Sequence, residues 1–291
     1  MASLKTIIVP VDGSDLSNRA IPVAAAIATA AGASMAIVSV ARYEGALAGT
    51  TKRVREARHL VPEGIPVEVD VVVSPSPVVA LLERAAASAS VLCLATHDRR
   101  PVSATLLDSV GSQIIEHARR PLIIVGPAGD GSRLGRDVVV ALDGVHDAAS
   151  LLSTAMTWAA LLDAPLRIVT VYEPVLPDLR RPGHFTRRHG PPTDPDAYLD
   201  DLALRLRRGP DDRIETVALA DPVSVADGVA QHLSDRPALL LVAGAPRGTQ
   251  PLRPGVLREL VHHVSIPVLV VPKAQLEPDE ALVDAAERGE P

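Results

Sequence analysis

Two short stretches of the sequence place a carboxylate directly after an apolar run. "IIVPVDGSD" at residues 7–15 contains Asp12, and "VVVALDGVHD" at residues 138–147 contains Asp143 in the same place. In a parallel α/β sheet, ligands bind beyond the carboxyl ends of the strands, so both aspartates are candidate binding residues. A local interpretation assigns them instead to the turn that begins a helix, with Ser14 or Asp147 as the N-cap.

The two aspartates belong to an internal repeat of domain size. At an offset of 131 residues Asp12 aligns with Asp143 and Val40 with Val171. Further along, "HARRPLIIV" at 117–125 aligns with the similar "HVSIPVLVV". A repeat of this size predicts two tandem domains. We predict a first domain at 1–127, a linker at 128–136, a second domain at 137–273 and a charged tail at 274–291.

Each half alternates short β-branched runs with longer helical stretches, which is typical of β-α-β units and a parallel sheet. Each half is therefore predicted to be a five-stranded α/β layer. The predicted strands lie near 5–11, 35–41, 66–73, 91–95, 121–125, 137–142, 166–172, 214–219, 239–243 and 267–271. The predicted helices lie near 16–31, 51–60, 77–88, 106–118, 148–163, 195–208, 222–234 and 255–264. Ser76-Pro77 and Asp221-Pro222 predict an N-cap followed by proline in the first helical position at equivalent places.

Composition excludes several classes of function. The chain is 47% hydrophobic and 22% charged, and no apolar run approaches the ~18 residues of a membrane helix. No secretory signal is visible at the start, so we expect a cytoplasmic protein without a membrane partner. A net charge of −6 and an aromatic content of 2% argue against binding to nucleic acid. The single cysteine, Cys93, lies in an apolar run and is expected to be a buried thiol, so no disulfide or zinc site is predicted.

A strand ending in Asp-Gly-Ser, a second strand ending near a valine, and a fourth strand followed by a loop, a helix and "HARRPLIIV" together resemble a universal stress protein domain. The whole chain resembles a tandem member of that family. The resemblance implies parallel strands in the order 3-2-1-4-5 with helices on both faces, and a role in the stress response. It also implies that ATP is the cofactor in many members, with the aspartate after strand one on the adenine side of the pocket.

The family's ATP signature follows strand four: Gly, two residues, Gly, nine residues, Gly, then Ser or Thr. Glycines let the backbone approach phosphate and ribose closely, and the last lies at a helix N-terminus that favours an anion. In the first half Ala95, Asp98 and Asp108 replace all three glycines, and only Ser109 is kept. A carboxylate at Asp108 would repel phosphate, so this half is expected to be a scaffold.

The second half keeps more of the signature. Gly244 holds the first position, Arg247 replaces the second with Gly248 beside it, and Gly255 precedes Val256 in a shorter loop. If one half binds a nucleotide, we expect it to be this one. The candidate binding residues are Asp12, Val40, Ala95 and Ser109 in the first half, and Asp143, Val171, Gly244, Arg247, Gly248, Gly255 and Val256 in the second.

The resemblance implies a non-catalytic regulatory module whose halves pack as an internal pseudo-dimer, and association through the last strand leaves monomer or homodimer open. The alternative is an ATP-using enzyme, a nucleotide hydrolase or ligase, of the same adenine-binding superfamily. The segment "DGSDLS" echoes the Ser-Gly-Gly-x-Asp-Ser phosphate loop of such ligases but lacks its paired glycines. No catalytic residue and no metal ligand are predicted.

Overall fold

The computed structural model describes residues 3–86, 89–96, 110–129, 131–142, 149–172, 194–207, 213–220, 224–245, 255–272 and 275. These residues form one ten-stranded sheet. Its strands are β1 (Thr6–Pro10), β2 (Ser34–Ala41), β3 (Val67–Val73), β4 (Ser90–Ala95), β5 (Leu122–Val125), β6 (Val138–Leu142), β7 (Leu166–Tyr172), β8 (Ile214–Ala220), β9 (Leu240–Gly244) and β10 (Val268–Val271).

The strand order is β3-β2-β1-β4-β5-β10-β9-β6-β7-β8. Each half therefore has the predicted order 3-2-1-4-5, and its strands are parallel. The one antiparallel contact is between β5 and β10, where Ile123 lies opposite Leu269. Both of these central strands are buried along their whole length, which explains why they consist of four apolar residues each. This pairing joins the halves internally, while association of two chains stays a prediction.

Helices cover both faces of the sheet and pack on two separate apolar clusters. Along β1, Ile7 and Val9 contribute to one cluster and Ile8 to the other, as the two-residue period of a strand requires. The helices are α1 (Asp15–Asn18), α2 (Ala20–Ala31), α3 (Leu47–Arg58), α4 (Pro77–Ala85), α5 (Val110–His117), α6 (Ala149–Leu161), α7 (Pro195–Leu206), α8 (Val225–Asp235) and α9 (Val256–His263). In the part of the chain that the structure describes, no helix has the length and apolar character to cross a membrane.

The predicted start of α4 is confirmed. Ser76 is the N-cap, its Oγ accepts a hydrogen bond from the Val79 N–H at 3.4 Å, and Pro77 occupies the first turn. Proline is tolerated there because the first N–H groups of a helix have no partner within the helix.

The matching prediction for the second half is wrong. Helix α8 begins at Val225 rather than at Asp221-Pro222, two residues that lie outside the described ranges. Its N-cap is Ser224, whose Oγ accepts from the Asp227 N–H at 3.3 Å. Both Asp221 and Ser224 are good capping residues, and the sequence pattern alone did not distinguish between them.

The single helix predicted at 16–31 is two helices that meet at Arg19. The Arg19 guanidinium donates hydrogen bonds to the carbonyls of Pro127 at 2.5 Å and Gly129 at 3.0 Å, with Gly126 at 3.4 Å. These carbonyls follow β5, so Arg19 holds the segment that leads from the first half to the second.

The connecting segment, which lies between β5 and β6, packs closely against the second half. A Cβ added to Gly126 would lie 1.7 Å from the Val261 carbonyl oxygen, and one added to Gly135 would lie 1.9 Å from that of Pro237. Glycine is required at both positions because any side chain would collide with backbone. Gly126 and Gly135 therefore permit the tight packing of this segment.

Candidate functional site

The sheet brings the predicted first-half residues to one edge. Strand β1 lies between β2 and β4, and all three run parallel, so Asp12, Val40 and Ala95 lie at their carboxyl ends. The Val11 N–H, just before Asp12, donates to the Val38 carbonyl at 2.8 Å. This is the position at which open α/β sheets bind ligands, although the binding roles of these residues stay predictions.

The Asp12 carboxylate is engaged within its own turn. Its Oδ1 accepts from the Ser14 N–H at 2.9 Å and from the Ser14 hydroxyl at 2.6 Å. Ser14 is in turn the N-cap of α1, because its Oγ accepts from the Ser17 N–H at 3.1 Å. The local interpretation of this corner is therefore present in the structure.

These contacts determine the ionisation of Asp12. Partial burial raises the pKa of its carboxyl, but the hydrogen bonds from the Ser14 hydroxyl and N–H outweigh burial and hold the pKa below its ordinary value. The carboxylate is therefore ionised at neutral pH.

An arginine that the sequence analysis missed covers the same turn. Gly13 has a φ of +87°, a left-handed conformation that favours glycine, and a Cβ there would lie 2.4 Å from Cδ of Arg53. Arg53 lies on α3, and its Nη2 donates to the Thr50 hydroxyl at 3.0 Å. No motif marks Arg53, which reaches Gly13 only because α3 folds over this end of the sheet.

Two polar atoms near β4 have no hydrogen-bond partner among the described residues. They are Asn18 Oδ1, on α1, and Thr96 Oγ1, directly after Ala95. Helix α1 packs against β4, and the Thr96 N–H donates to the Val125 carbonyl at 3.0 Å. Buried polar atoms are usually paired, so this edge retains unused hydrogen-bonding capacity. Ser109, predicted for the same edge, lies outside the described residues.

The second half repeats the strand geometry. Gly244 ends β9, and the following residue, Ala245, donates its N–H to the Val271 carbonyl at 2.9 Å, as Thr96 does in the first half. Val171 is buried near the end of β7. The sequence analysis missed Thr170, a fully buried residue whose hydroxyl donates to the Leu142 carbonyl at 3.1 Å.

That hydrogen bond fixes the last carbonyl of β6, directly before Asp143. Asp143, Arg247 and Gly248 themselves lie outside the described residues.

The N-terminus of α9 differs from that of α1. Gly255 is its N-cap in an extended conformation, and among the described residues no side chain caps the helix. The Gly255 carbonyl accepts from the Glu259 N–H at 3.2 Å, and Val256 in the first turn is 46% exposed. An uncapped helix N-terminus presents unpaired N–H groups and a partial positive charge, and both favour an anion.

The remaining titratable groups do not assemble into a metal site: no group of three histidine, cysteine or acidic side chains with suitable geometry occurs among the described residues. His263 Nδ1 lies 2.8 Å from Asp227 Oδ1, which links α9 to α8 at the surface. Cys93 is buried as predicted, and burial raises the pKa of its thiol to about 12, so it is not a reactive thiolate.

Comparison with known proteins bears on both halves. The sequence matches the universal stress protein family at residues 3–126 and again at 135–272. No curated protein matches the sequence.

Among solved structures, the chain is similar to a universal stress protein from Archaeoglobus fulgidus DSM 4304, with 14% identity and a TM-score of 0.66 over 93% of this chain and 97% of that one. It is also similar to a putative universal stress protein from Pseudomonas aeruginosa UCBPP-PA14, with 14% identity and a TM-score of 0.55 over 99% of this chain and 98% of that one. At such identities the structural likeness shows the fold alone.

Proposed function

The chain belongs to the universal stress protein family, and from this premise we propose that it is a non-catalytic regulatory module whose second half binds an adenine nucleotide. The first half acts as a scaffold for the second. The two halves share one fold and one sheet, so the proposal rests on what differs between their carboxyl edges.

The uncapped N-terminus of α9 is the observation that supports the proposal. A helix that follows a strand in a parallel sheet begins at the strand's carboxyl edge, so Gly255 lies on the same side of the sheet as the end of β9. Gly244 and Gly255 carry no side chain to obstruct a phosphate or ribose. The first-turn N–H groups of α9 then supply hydrogen bonds and the dipole supplies favourable charge for a phosphate.

The first half offers a poorer site for the same ligand. Oδ1 of Asp12 is already occupied by Ser14, and the Arg53 side chain lies against Gly13. A ligand at this corner would compete with the N-cap of α1. This supports the assignment of nucleotide binding to the second half.

The same contacts support a non-catalytic role. The Ser14 hydroxyl donates to Asp12 and accepts from the Ser17 N–H, so it is engaged in the turn and in helix capping. A serine nucleophile needs an adjacent general base to take its proton, and the lowered pKa of Asp12 makes its carboxylate a weak base. Turnover of ATP by the purified protein would support the enzyme alternative instead.

Two substitutions of Gly255 test the site with matched controls. Gly255→Asp and Gly255→Asn both supply a side-chain cap to α9, but only Asp adds a negative charge where phosphate would bind. Titration calorimetry with ATP, AMP and cyclic AMP should show that Gly255→Asp weakens binding by about tenfold or more, because like charges a few ångströms apart repel. Gly255→Asn should bind nearly as well as the wild type, and equal loss in both variants would contradict an anion site at this helix.

Asp143→Ala and Asp12→Ala then separate the two halves. Only Asp143→Ala should weaken binding if the ligand lies in the second half. If only Asp12→Ala weakens binding, the nucleotide site lies in the first half. If the wild type binds none of these nucleotides, the proposal of nucleotide binding is wrong.

A further inference from the structure

A buried arginine lies at the opposite, amino edge of the second half. Arg167 on β7 is 1% exposed and pairs in register with Val139 of β6 and Glu215 of β8. A buried guanidinium remains charged under all physiological conditions and therefore needs partners that compensate for its lost hydration.

Three groups from different segments surround its guanidinium. Nη2 forms an ion pair with Oδ2 of Asp137, and Nη1 donates to the Arg236 carbonyl at 3.1 Å. Nη1 also lies 3.2 Å from Nε2 of His232. Because arginine has no acceptor atom, this last contact is a hydrogen bond only when His232 Nε2 is unprotonated and accepts it.

Charged groups of both signs face His232. Arg167 approaches from β7, Arg236 from the end of α8, and Glu215 from β8, while Asp235 lies on its own helix. Asp137 lies on the far side of Arg167, with its Oδ2 3.5 Å from the Arg236 guanidinium. Burial, followed by the charges of Arg167 and Arg236, lowers the pKa of His232, and the acidic groups only partly oppose this.

The cluster lies where the connecting segment enters the second half. The Leu239 N–H donates to the Asp137 carbonyl at 2.8 Å, and the Gly135 N–H donates to the Ala238 carbonyl at 3.1 Å. Arg167 therefore contacts both the end of α8 and the residue before β6. The turn before β9 is hydrogen-bonded to the connecting segment beside them.

We propose that His232 and Arg167 form an acid-sensitive switch at this edge, which is closed while His232 is neutral and is released when His232 takes up a proton. Protonation removes the acceptor for Arg167 Nη1 and places a second positive charge beside the guanidinium. Helix α8 then loses this contact with β7, and the added charge repels the guanidinium that Asp137 and the Arg236 carbonyl still hold, so that acidification loosens the second half. This inference does not depend on nucleotide binding.

The direction of the pH dependence follows from linkage. In the unfolded chain His232 titrates near its ordinary value of 6.5, and in the fold its pKa is lower. The unfolded state therefore binds more protons just below pH 6.5, and stability falls as the pH drops through that value. Asp12 and Glu215, whose pKa values are also lowered, have ordinary values of 3.8 and 4.5, so their contributions are lost only in stronger acid.

Urea unfolding followed by the fluorescence of Trp158 tests the switch. Trp158 is the single tryptophan, is buried on α6, and so reports on the second half. Between about pH 7.5 and about pH 5.5 the urea concentration at the wild-type unfolding midpoint should fall. A proton that binds the unfolded chain but not the fold lowers the folding equilibrium constant by up to about tenfold per pH unit. In His232→Gln, whose amide oxygen accepts from Arg167 at every pH, at least half of that fall should disappear.

His263→Gln is the matched control, because His263 contacts a carboxylate rather than a guanidinium and lies on another helix. The fall in the midpoint should not be diminished in this variant. An undiminished fall in His232→Gln would overturn the proposal.

A second measurement covers the case in which His232→Gln does not fold. The His232 ring titration in the wild type, followed by NMR, should have its midpoint below that of the urea-unfolded chain. A midpoint equal to or above the unfolded one would also reject the switch.

Discussion

The two halves of the chain have the same fold but differ at the amino ends of their central strands. At the carboxyl edge, Ser14 caps the helix after β1 and Gly255 begins the helix after β9, and the counterpart of each in the other half lies outside the described residues. At the amino edge, Ala36 in the first half and Arg167 in the second occupy equivalent register positions, and each is 1% exposed. The first half fills this position with an apolar side chain, and the second half fills it with a charged one that groups from other segments hold.

The exchange of Ala36 for Arg167 shows how a repeat diverges in its core. Ala36 lies in an apolar cluster and needs no partner, whereas Arg167 needs Asp137 and the end of α8. Removing one member of such a set leaves the others buried without compensation. The second half has therefore gained a cluster whose members depend on one another.

Among the substitutions that test this difference between the halves, Arg167→Leu should have the largest effect on stability. The free energy of unfolding of the second half, from urea titration of Trp158 fluorescence, should fall by about 3–5 kcal/mol, because Asp137 and the Arg236 carbonyl lose a buried partner. Arg205→Ala is the control: Arg205 forms an exposed pair with Asp201 on α7, and its loss should cost at most about 0.5 kcal/mol. Similar losses of unfolding free energy in the two variants would show that the buried Arg167 contributes no more to stability than the exposed Arg205.

Gly126→Ala tests the junction between the halves. The new Cβ would meet the Val261 carbonyl oxygen, and the backbone shift needed to relieve it should cost about 1–3 kcal/mol in thermal or urea unfolding. Gly49→Ala on α3, where the nearest atom to a Cβ is Arg53 Nη1 at 3.7 Å, should instead gain about 0.5–1 kcal/mol. A neutral Gly126→Ala would mean that the two halves are not held closely at this point.

Ser14→Ala and Gly255→Asn compare a capped helix start at the carboxyl edge with an uncapped one. Loss of the Ser14 cap should cost about 1 kcal/mol, whereas a new cap on α9 should gain a few tenths. Ser14→Ala should also make the free energy of unfolding decrease less steeply as the pH falls from about 7 to about 3. The lowered pKa of Asp12 gives the wild type a contribution that is present above its ordinary value of 3.8 and is lost as the pH falls through the folded value.

Urea midpoints at about pH 7 and about pH 3 measure both effects. If the midpoint of Ser14→Ala falls as much between these two pH values as that of the wild type, Ser14 does not control the ionisation of Asp12.

Local sequence patterns predicted most of the fold. The apolar runs identified all ten described strands. The central strands are apolar because both of their faces are buried, whereas the edge strands β3 and β8 are only partly buried. Ser76 before Pro77 identified a helix start, and the apolar run around Cys93 identified a buried thiol. These features depend on residues close together in the chain, so their signals are visible without the fold.

The candidate site was predicted only in outline. The repeat and the strand ends placed Asp12, Val40 and Ala95 at one edge, but nothing indicated that Arg53 would cover Gly13. The break at Arg19 was missed although Pro22, which has no N–H to donate to the Asn18 carbonyl, is a local signal for it. The contacts of Arg19 with carbonyls 107 to 110 residues away leave no periodic pattern.

The sequence by itself determined the repeat, the parallel strands and the polar corner after each first strand, because periodicity and turn chemistry are local. Only the tertiary structure decided that β5 pairs with β10, that Gly126 lies against the other half, and that Arg167 is buried beside His232. In each case the deciding free energy comes from groups far apart in the chain, which become neighbours only when the sheet is complete.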